Sequence, residues 1–126
     1  MGPDGAGEPV TGVAACVLCR IVAGTEPATV RHATDAVVVI EPLVAHARVH
    51  LLVVPREHFD SVAAMARSAP ELAGEMIVAA DDAARAVGMA HDGYRLTYNW
   101  GPATRQRIVH PHLHVLGGQV LGERLG

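Results

Sequence analysis

Lysine is absent from the sequence, and arginine supplies all 10 basic side chains. These are dispersed along the chain, and against 13 acidic residues they leave a formal net charge of −3. No basic footprint for nucleic acid is visible. Arginine without lysine, beside abundant Ala and Gly, reads as the mutational bias of a GC-rich genome rather than as a function. Aromatic residues make up only 3% of a chain that is 50% hydrophobic, so the core must be aliphatic, assembled largely from Ala and Val. Cysteine is nearly missing too. Cys16 and Cys19, spaced C-x-x-C, are too close together to make a disulfide framework. No apolar stretch reaches the roughly 18 residues of a membrane span, and Met1 to Val10 lacks the apolar segment of a signal peptide. A reducing cytoplasm is the expected setting, with no membrane or nucleic-acid partner and with both thiols available to a metal.

The length of 126 residues suits one domain. A polar, Gly/Pro-rich stretch over residues 1–12 reads as a disordered tail, leaving a domain over residues 13–126. Cys16 to Ala23 predicts a short helix closed by Gly24. Thr29 to His32 and Ala36 to Glu41 are rich in β-branched residues and flank the turn signal Thr34-Asp35, which predicts a hairpin. His50 to Val54 predicts a third strand, stopped by Pro55. A long helix is expected from Ala69 to Val87, with Ser68 as N-cap, Glu71 completing a capping box and Gly88 closing the end. Leu72, Met76, Ala79, Ala80, Ala83 and Val87 give it one apolar stripe. Tyr94 to Tyr98 and Val109 to Leu116 predict two more strands around a loop containing Gly101-Pro102. Five strands that do not alternate regularly with helices point to an α+β domain with an antiparallel sheet.

The chemistry concentrates in His110-Pro111-His112-Leu113-His114. In a strand, alternate side chains share a face, so the three imidazoles would line one side and Pro111, Leu113 and Val115 the other. Histidine changes charge near neutral pH and serves as nucleophile, acid, base or metal ligand. A metal-binding row and an inert solvent-facing strand are the competing readings of the same pattern.

His-x-His-x-His followed by two apolar residues resembles the signature of the histidine triad (HIT) superfamily. Other segments resemble it in the same order. They are Cys16 to Gly24, His50-Leu51-Leu52-Val53-Val54-Pro55-Arg56-Glu57-His58, Gly93-Tyr94-Arg95, Asn99, Gly101, Gln106, and His110 through Gly118. The likeness is nearest to the Hint-like branch of small nucleotide hydrolases. It implies a HIT-like fold of five antiparallel strands, one long helix and a short N-terminal helix. It also implies a phosphoramidase-like nucleotidyl hydrolase or transferase that cleaves a P–N or P–O bond. His112 would attack phosphorus to form a covalent intermediate, which water then releases. By position, His114 would contact the phosphoryl oxygens, His50 and His110 would support the triad, and Asn99 and Gln106 would contact phosphate and leaving group. The resemblance further implies a structural zinc held by Cys16, Cys19, His58 and His110, with no metal needed for catalysis. A homodimer is implied through the Ala69–Val87 helix and the Tyr94–Tyr98 strand.

The chain departs from that pattern at four places. Pro42 stands where relatives carry an Asp that binds ribose, and the adjacent Glu41 is the available substitute. Arg107 replaces a small hydroxyl residue after Gln106 and could hold an extra phosphate or carboxylate bidentately; Arg105 gives the same loop a second cation. Pro111 removes a donor from the triad strand and predicts a bulge or an unpaired position. Gln119 to Gly126 holds no Trp of the kind that closes the site across the dimer in relatives, so leaving-group selectivity should differ. His32, His46 and His91 match no motif position, and among them His46 lies in the loop expected to flank the pocket. These departures keep two other readings open: an enzyme of the same fold acting on a non-nucleotide metabolite, and a zinc-stabilised module that binds a nucleotide or a partner.

Overall fold

The computed structural model describes residues 15–123, so the tail expected over residues 1–12 lies outside the described residues. The chain begins with a short helix, α1 (Val17–Ala23). Cys16 caps it, with its sulfur accepting from the Cys19 N–H at 3.4 Å. Gly24 ends it in the left-handed conformation, at φ 83°. The expected hairpin follows as β1 (Val30–Ala33) and β2 (Val37–Ile40). Its turn is held by the Thr34 hydroxyl, which accepts from the N–H groups of Ala36 and Val37. A central strand, β3 (Val49–Pro55), leads to two helices, α2 (Val62–Ser68) and α3 (Pro70–Ala86). The edge strand β4 (Tyr94–Tyr98), a 3-10 turn at Pro102–Thr104 and β5 (Leu113–Gly117) complete the domain.

Among the described residues the strands form one five-stranded antiparallel sheet in the order β1-β2-β3-β5-β4. Strand alternation sorts its residues into two layers. Val37, Val39, Leu51, Val53, Leu113 and Val115 face α3 in the main core. Val38, Ile40 and Val54 face the other way and pack with Cys16, Leu18 and Cys19 around α1. Both faces of β2 are therefore covered, and all four of its residues are buried. The histidines of interest belong to the α1 side, where His50 and His114 alternate with core residues of β3 and β5. α3 buries Leu72, Met76, Ala79, Ala80, Ala83 and Ala84; small Ala side chains let the helix lie close to the sheet.

Three expectations are corrected here. Ser68 does not cap the long helix: it ends α2, donating its hydroxyl back to the Ala64 carbonyl at 2.9 Å, while Ala69 occupies the N-cap without a side-chain bond. Val87 lies past the helix end and is 42% exposed, so Ala84 and not Val87 completes the apolar stripe. The last strand begins at Leu113 rather than Val109. Pro111 has no N–H to give a ladder, and the chain before Leu113 is occupied with the contacts described next. No bulge is needed, because the proline precedes the strand. Among the described residues no helix is long and apolar enough to cross a membrane.

Candidate functional site

The histidine run divides its labour. His110 is fully buried and turns away from its neighbours, toward α1 and the end of β3. Its Nε2–H donates to the Pro55 carbonyl at 2.9 Å. A carbonyl can only accept, so the proton sits on Nε2 and Nδ1 presents a lone pair. That lone pair faces Cys16 Sγ at 3.4 Å, Cys19 Sγ at 3.5 Å and His58 Nδ1 at 3.1 Å. The four ligand atoms lie within 4.8 Å of one another, and two thiols with two imidazoles suit tetrahedral zinc. The chemistry of the set favours a cation: two ring nitrogens that face each other need either a proton or a metal between them. The Nε2 of His58 is buried without a hydrogen-bond partner, with Asp60 Oδ1 3.5 Å away, the position of an outer carboxylate behind a metal-bound His. Burial, then the neighbouring Cys16, pushes the Cys19 thiol up to about 11. Coordination to a metal would reverse that and leave a thiolate.

His112 stands just before β5. Its Nδ1–H donates to the backbone carbonyl of His110 at 2.8 Å. By the same logic Nε2 is then the unprotonated nitrogen. Burial holds this ring below the usual imidazole range, opposed in part by the carbonyl bond, so it is neutral and nucleophilic at pH 7.

A second relay fixes His114. The backbone N–H of His46 donates to His50 Nδ1 at 3.0 Å, which makes that nitrogen an acceptor. His50 must then carry its proton on Nε2, which lies 2.9 Å from His114 Nδ1. His114 in turn carries its proton on Nε2, a buried atom with no partner among the described residues. One main-chain amide thus sets two tautomers and leaves an orphan N–H beside His112, whose ring centroid is 5.2 Å from that of His114. Burial first, then the adjacent His112, His50 and His46, lowers His114 to about 4. Burial and His46 also lower His50.

A cavity of about 950 Å³ opens beside His50 and His114. Asn99 lines it, as do Arg95, Thr97, Thr104 and Arg105. His112 is not part of the lining and adjoins it through His114. Gln106 is not free to reach in: its Oε1 accepts from the Gly101 N–H at 2.7 Å and its Nε2 donates to the Ile108 carbonyl at 2.9 Å, bracing the loop. Arg107 is exposed and lies outside the lining, whereas Arg105 is part of it. Glu41 is ion-paired with Arg31 and does not line the cavity. His46 does line it, while His32 stands 4.0 Å from Asp82 and His91 is exposed. Arg95 and Thr97 went unmarked as site residues in the sequence. The signal was period 2: they alternate with Leu96 on β4 and so share the face of Asn99.

The family model for the scavenger mRNA decapping enzyme C-term binding domain matches residues 15–125. Protein HitA of Neisseria gonorrhoeae is 32% identical over 105 residues, covering 83% of this chain and 97% of its own. The purine nucleoside phosphoramidase of Escherichia coli K12 is 29% identical over 109 residues, covering 86% and 92%. A HIT family hydrolase from Clostridium thermocellum superposes with a TM-score of 0.83 at 34% identity, covering 87% of this chain and 96% of that one. A Zn-bound histidine triad family protein from Mycobacterium smegmatis does so with a TM-score of 0.74 at 30% identity, covering 91% and 82%.

Proposed function

Given that the chain belongs to the histidine triad (HIT) family and is a HIT-type hydrolase, we propose that it cleaves a P–N or P–O bond of a nucleoside monophosphate derivative through a covalent intermediate on His112. The observation that carries this reading is the 2.8 Å bond from His112 Nδ1–H to the His110 carbonyl. It leaves the Nε2 lone pair available and gives the ring a partner for the positive charge it gains on attack.

In the first step, Nε2 of His112 forms a bond to phosphorus as the P–N or P–O bond to the departing group breaks, with the electron pair leaving on that group's nitrogen or oxygen, which takes a proton from solvent. In the second, water attacks phosphorus and gives up a proton to solvent, and the Nε2–P bond breaks, returning its pair to the ring. The orphan Nε2–H of His114 supplies a fixed donor to a phosphoryl oxygen on which charge builds. Asn99 adds a further polar group on the cavity wall. Arg31 holds Glu41 away from the cavity, and Pro42 offers no donor or acceptor on its side chain, so ribose recognition by a carboxylate at this corner has no support.

Cys16, Cys19, His58 and His110 would hold a structural zinc, a reading supported by their mutual distances and by the Zn-bound relative. The metal would tie α1 and the β3 end to the segment carrying His112 and takes no part in the reaction. A homodimer through α3 and β4 belongs to the same reading. β4 is a sheet edge, and Ile77 and Val78 of α3 are 50% and 60% exposed. Sedimentation equilibrium that returned only monomer would remove it.

The test is hydrolysis of a fluorogenic adenosine 5′-phosphoramidate by the wild type and His112→Ala. We expect turnover that falls by roughly 10³-fold or more in the variant. Folded, metal-loaded wild type without turnover would refute the proposal and pass the site to a non-nucleotide substrate or to a binding role.

A further inference from the structure

The cavity holds more positive charge than a single phosphoryl group requires. Arg95 and Arg105 both line it, and among the described residues no carboxylate does. Arginine cannot shed its charge in a protein, so both cations persist at any working pH. Arg95 donates from Nη2 to the Gly122 carbonyl at 2.9 Å, a neutral partner. The guanidinium of Arg105 has no hydrogen-bond or ion-pair partner among the described residues.

Arg105 also sits where its side chain is costly. It is the one described residue other than glycine with a positive φ, 63°, a conformation that is strained for an L-residue. It follows the 3-10 turn at Pro102–Thr104, and its own N–H closes that turn on the Pro102 carbonyl at 3.0 Å. Glycine would satisfy the same backbone without strain. A guanidinium is present instead, at a point where the turn brings it to the cavity wall.

Resting on the nucleotidyl reading of the same site, we infer that the substrate carries a second anionic group, a carboxylate or phosphate apart from the reacting phosphoryl centre, and that Arg105, with Arg95, is the residue that selects it. The planar fork of Arg105 suits two oxygens of such a group.

The experiment is titration calorimetry on the His112→Ala protein, which binds without consuming its ligand. Three probes are used. One is an adenosine 5′-phosphoramidate of propylamine. The second is the phosphoramidate of glycine, with the charge on the departing group. The third is the propylamine compound carrying a ribose 3′-phosphate, with the charge on the nucleoside. We expect one charged probe to bind about 10- to 100-fold more tightly than the neutral one, and which of the two it is locates the anion. Adding Arg105→Gly, which suits the local φ and so keeps the loop, should collapse that preference. Comparable affinities for all three probes, absence of binding, or a preference that survives Arg105→Gly would overturn the inference. If wild type hydrolyses none of the probes while the charged preference persists and depends on Arg105, the nucleotidyl-transfer reading fails and the anion subsite stands.

Discussion

Stripping metal from the Cys16, Cys19, His58 and His110 cluster should cost this fold a large part of its stability. The ligand atoms are already within 4.8 Å of one another, and the Nδ1 of His110 is held unprotonated by the bond from its Nε2–H to Pro55. The site is therefore preformed, and little ordering entropy opposes binding. Zinc at 1,000 times its dissociation constant would add about 4 kcal/mol to the stability of the folded state. For a chain of this size, about 3–5 °C of Tm accompanies each kcal/mol, so dialysis against a chelator should lower Tm by about 12–20 °C. The loss should be local before it is global. Leu18 and the two cysteines anchor α1 to Val38, Ile40 and Val54, and without the metal the thiols supply only weak S–H donors. The measurements are zinc stoichiometry by mass spectrometry, thermal unfolding with and without chelator, and hydrogen exchange over residues 16–24. Cys19→Ser serves as the genetic counterpart. A Tm unchanged by chelation, in protein shown to release its zinc, would refute the reasoning and reduce the four residues to a well-packed thiol and imidazole cluster.

Two further outcomes follow from the relay of histidines. His114→Ala should lower kcat by about 10²–10³ with a smaller effect on KM, because the donor it removes acts on charge that develops in the transition state. Equal effects on kcat and KM in steady-state kinetics would move His114 from catalysis to packing. The second outcome is acid sensitivity. His114 in the fold stays neutral down to about 4, whereas the unfolded ring takes its proton near 6.5. As pH falls from 6.5 the unfolded state binds protons first, so stability declines between pH 6.5 and pH 4 and levels off below. The full shift corresponds to about 3 kcal/mol; because the ring is only partly buried we expect about 1–2 kcal/mol. His50, also lowered, acts in the same direction. Urea midpoints across that window check the slope, which should be shallower in His114→Ala; an unchanged slope would count against the buried neutral ring.

Much of this could be read along the chain because the decisive patterns are local. The β1–β2 hairpin announces itself by β-branched runs around Thr34-Asp35, and α1 by the glycine that closes it. The C-x-x-C pair and the alternating histidines stand out by spacing, while the zinc set and the catalytic roles come only from the resemblance. α2 was missed although Ser61 sits as its N-cap, accepting from the Ala64 N–H at 2.9 Å. Ser68 and Glu71 form a capping pattern of equal quality, but Ser68 ends α2 and donates its hydroxyl to the Ala64 carbonyl instead. The alternation from Val109 predicts a longer β5 than Leu113–Gly117 because periodicity cannot tell a strand from an extended segment bound elsewhere. Arg105 lines the cavity and Arg107 does not, in a loop with a left-handed residue at Arg105, a backbone choice that no side-chain pattern reports. The tautomers depend on main-chain groups of His46, Pro55 and His110, which every residue possesses and which a sequence therefore cannot single out.

His110 touches the chemistry twice, by two different parts of itself. Its ring belongs to the buried cysteine cluster, and its carbonyl oxygen orients His112. Replacing its side chain leaves that oxygen in place, so a scan by substitution would score the residue as an anchor and overlook its part in setting the tautomer of His112. The dependence would surface only when the peptide moves. A shift in the cluster reaches His112 along two covalent links of backbone, with no intervening side chain to absorb it. Damage to a site remote from the cavity would then be felt as slower chemistry with substrate affinity largely kept.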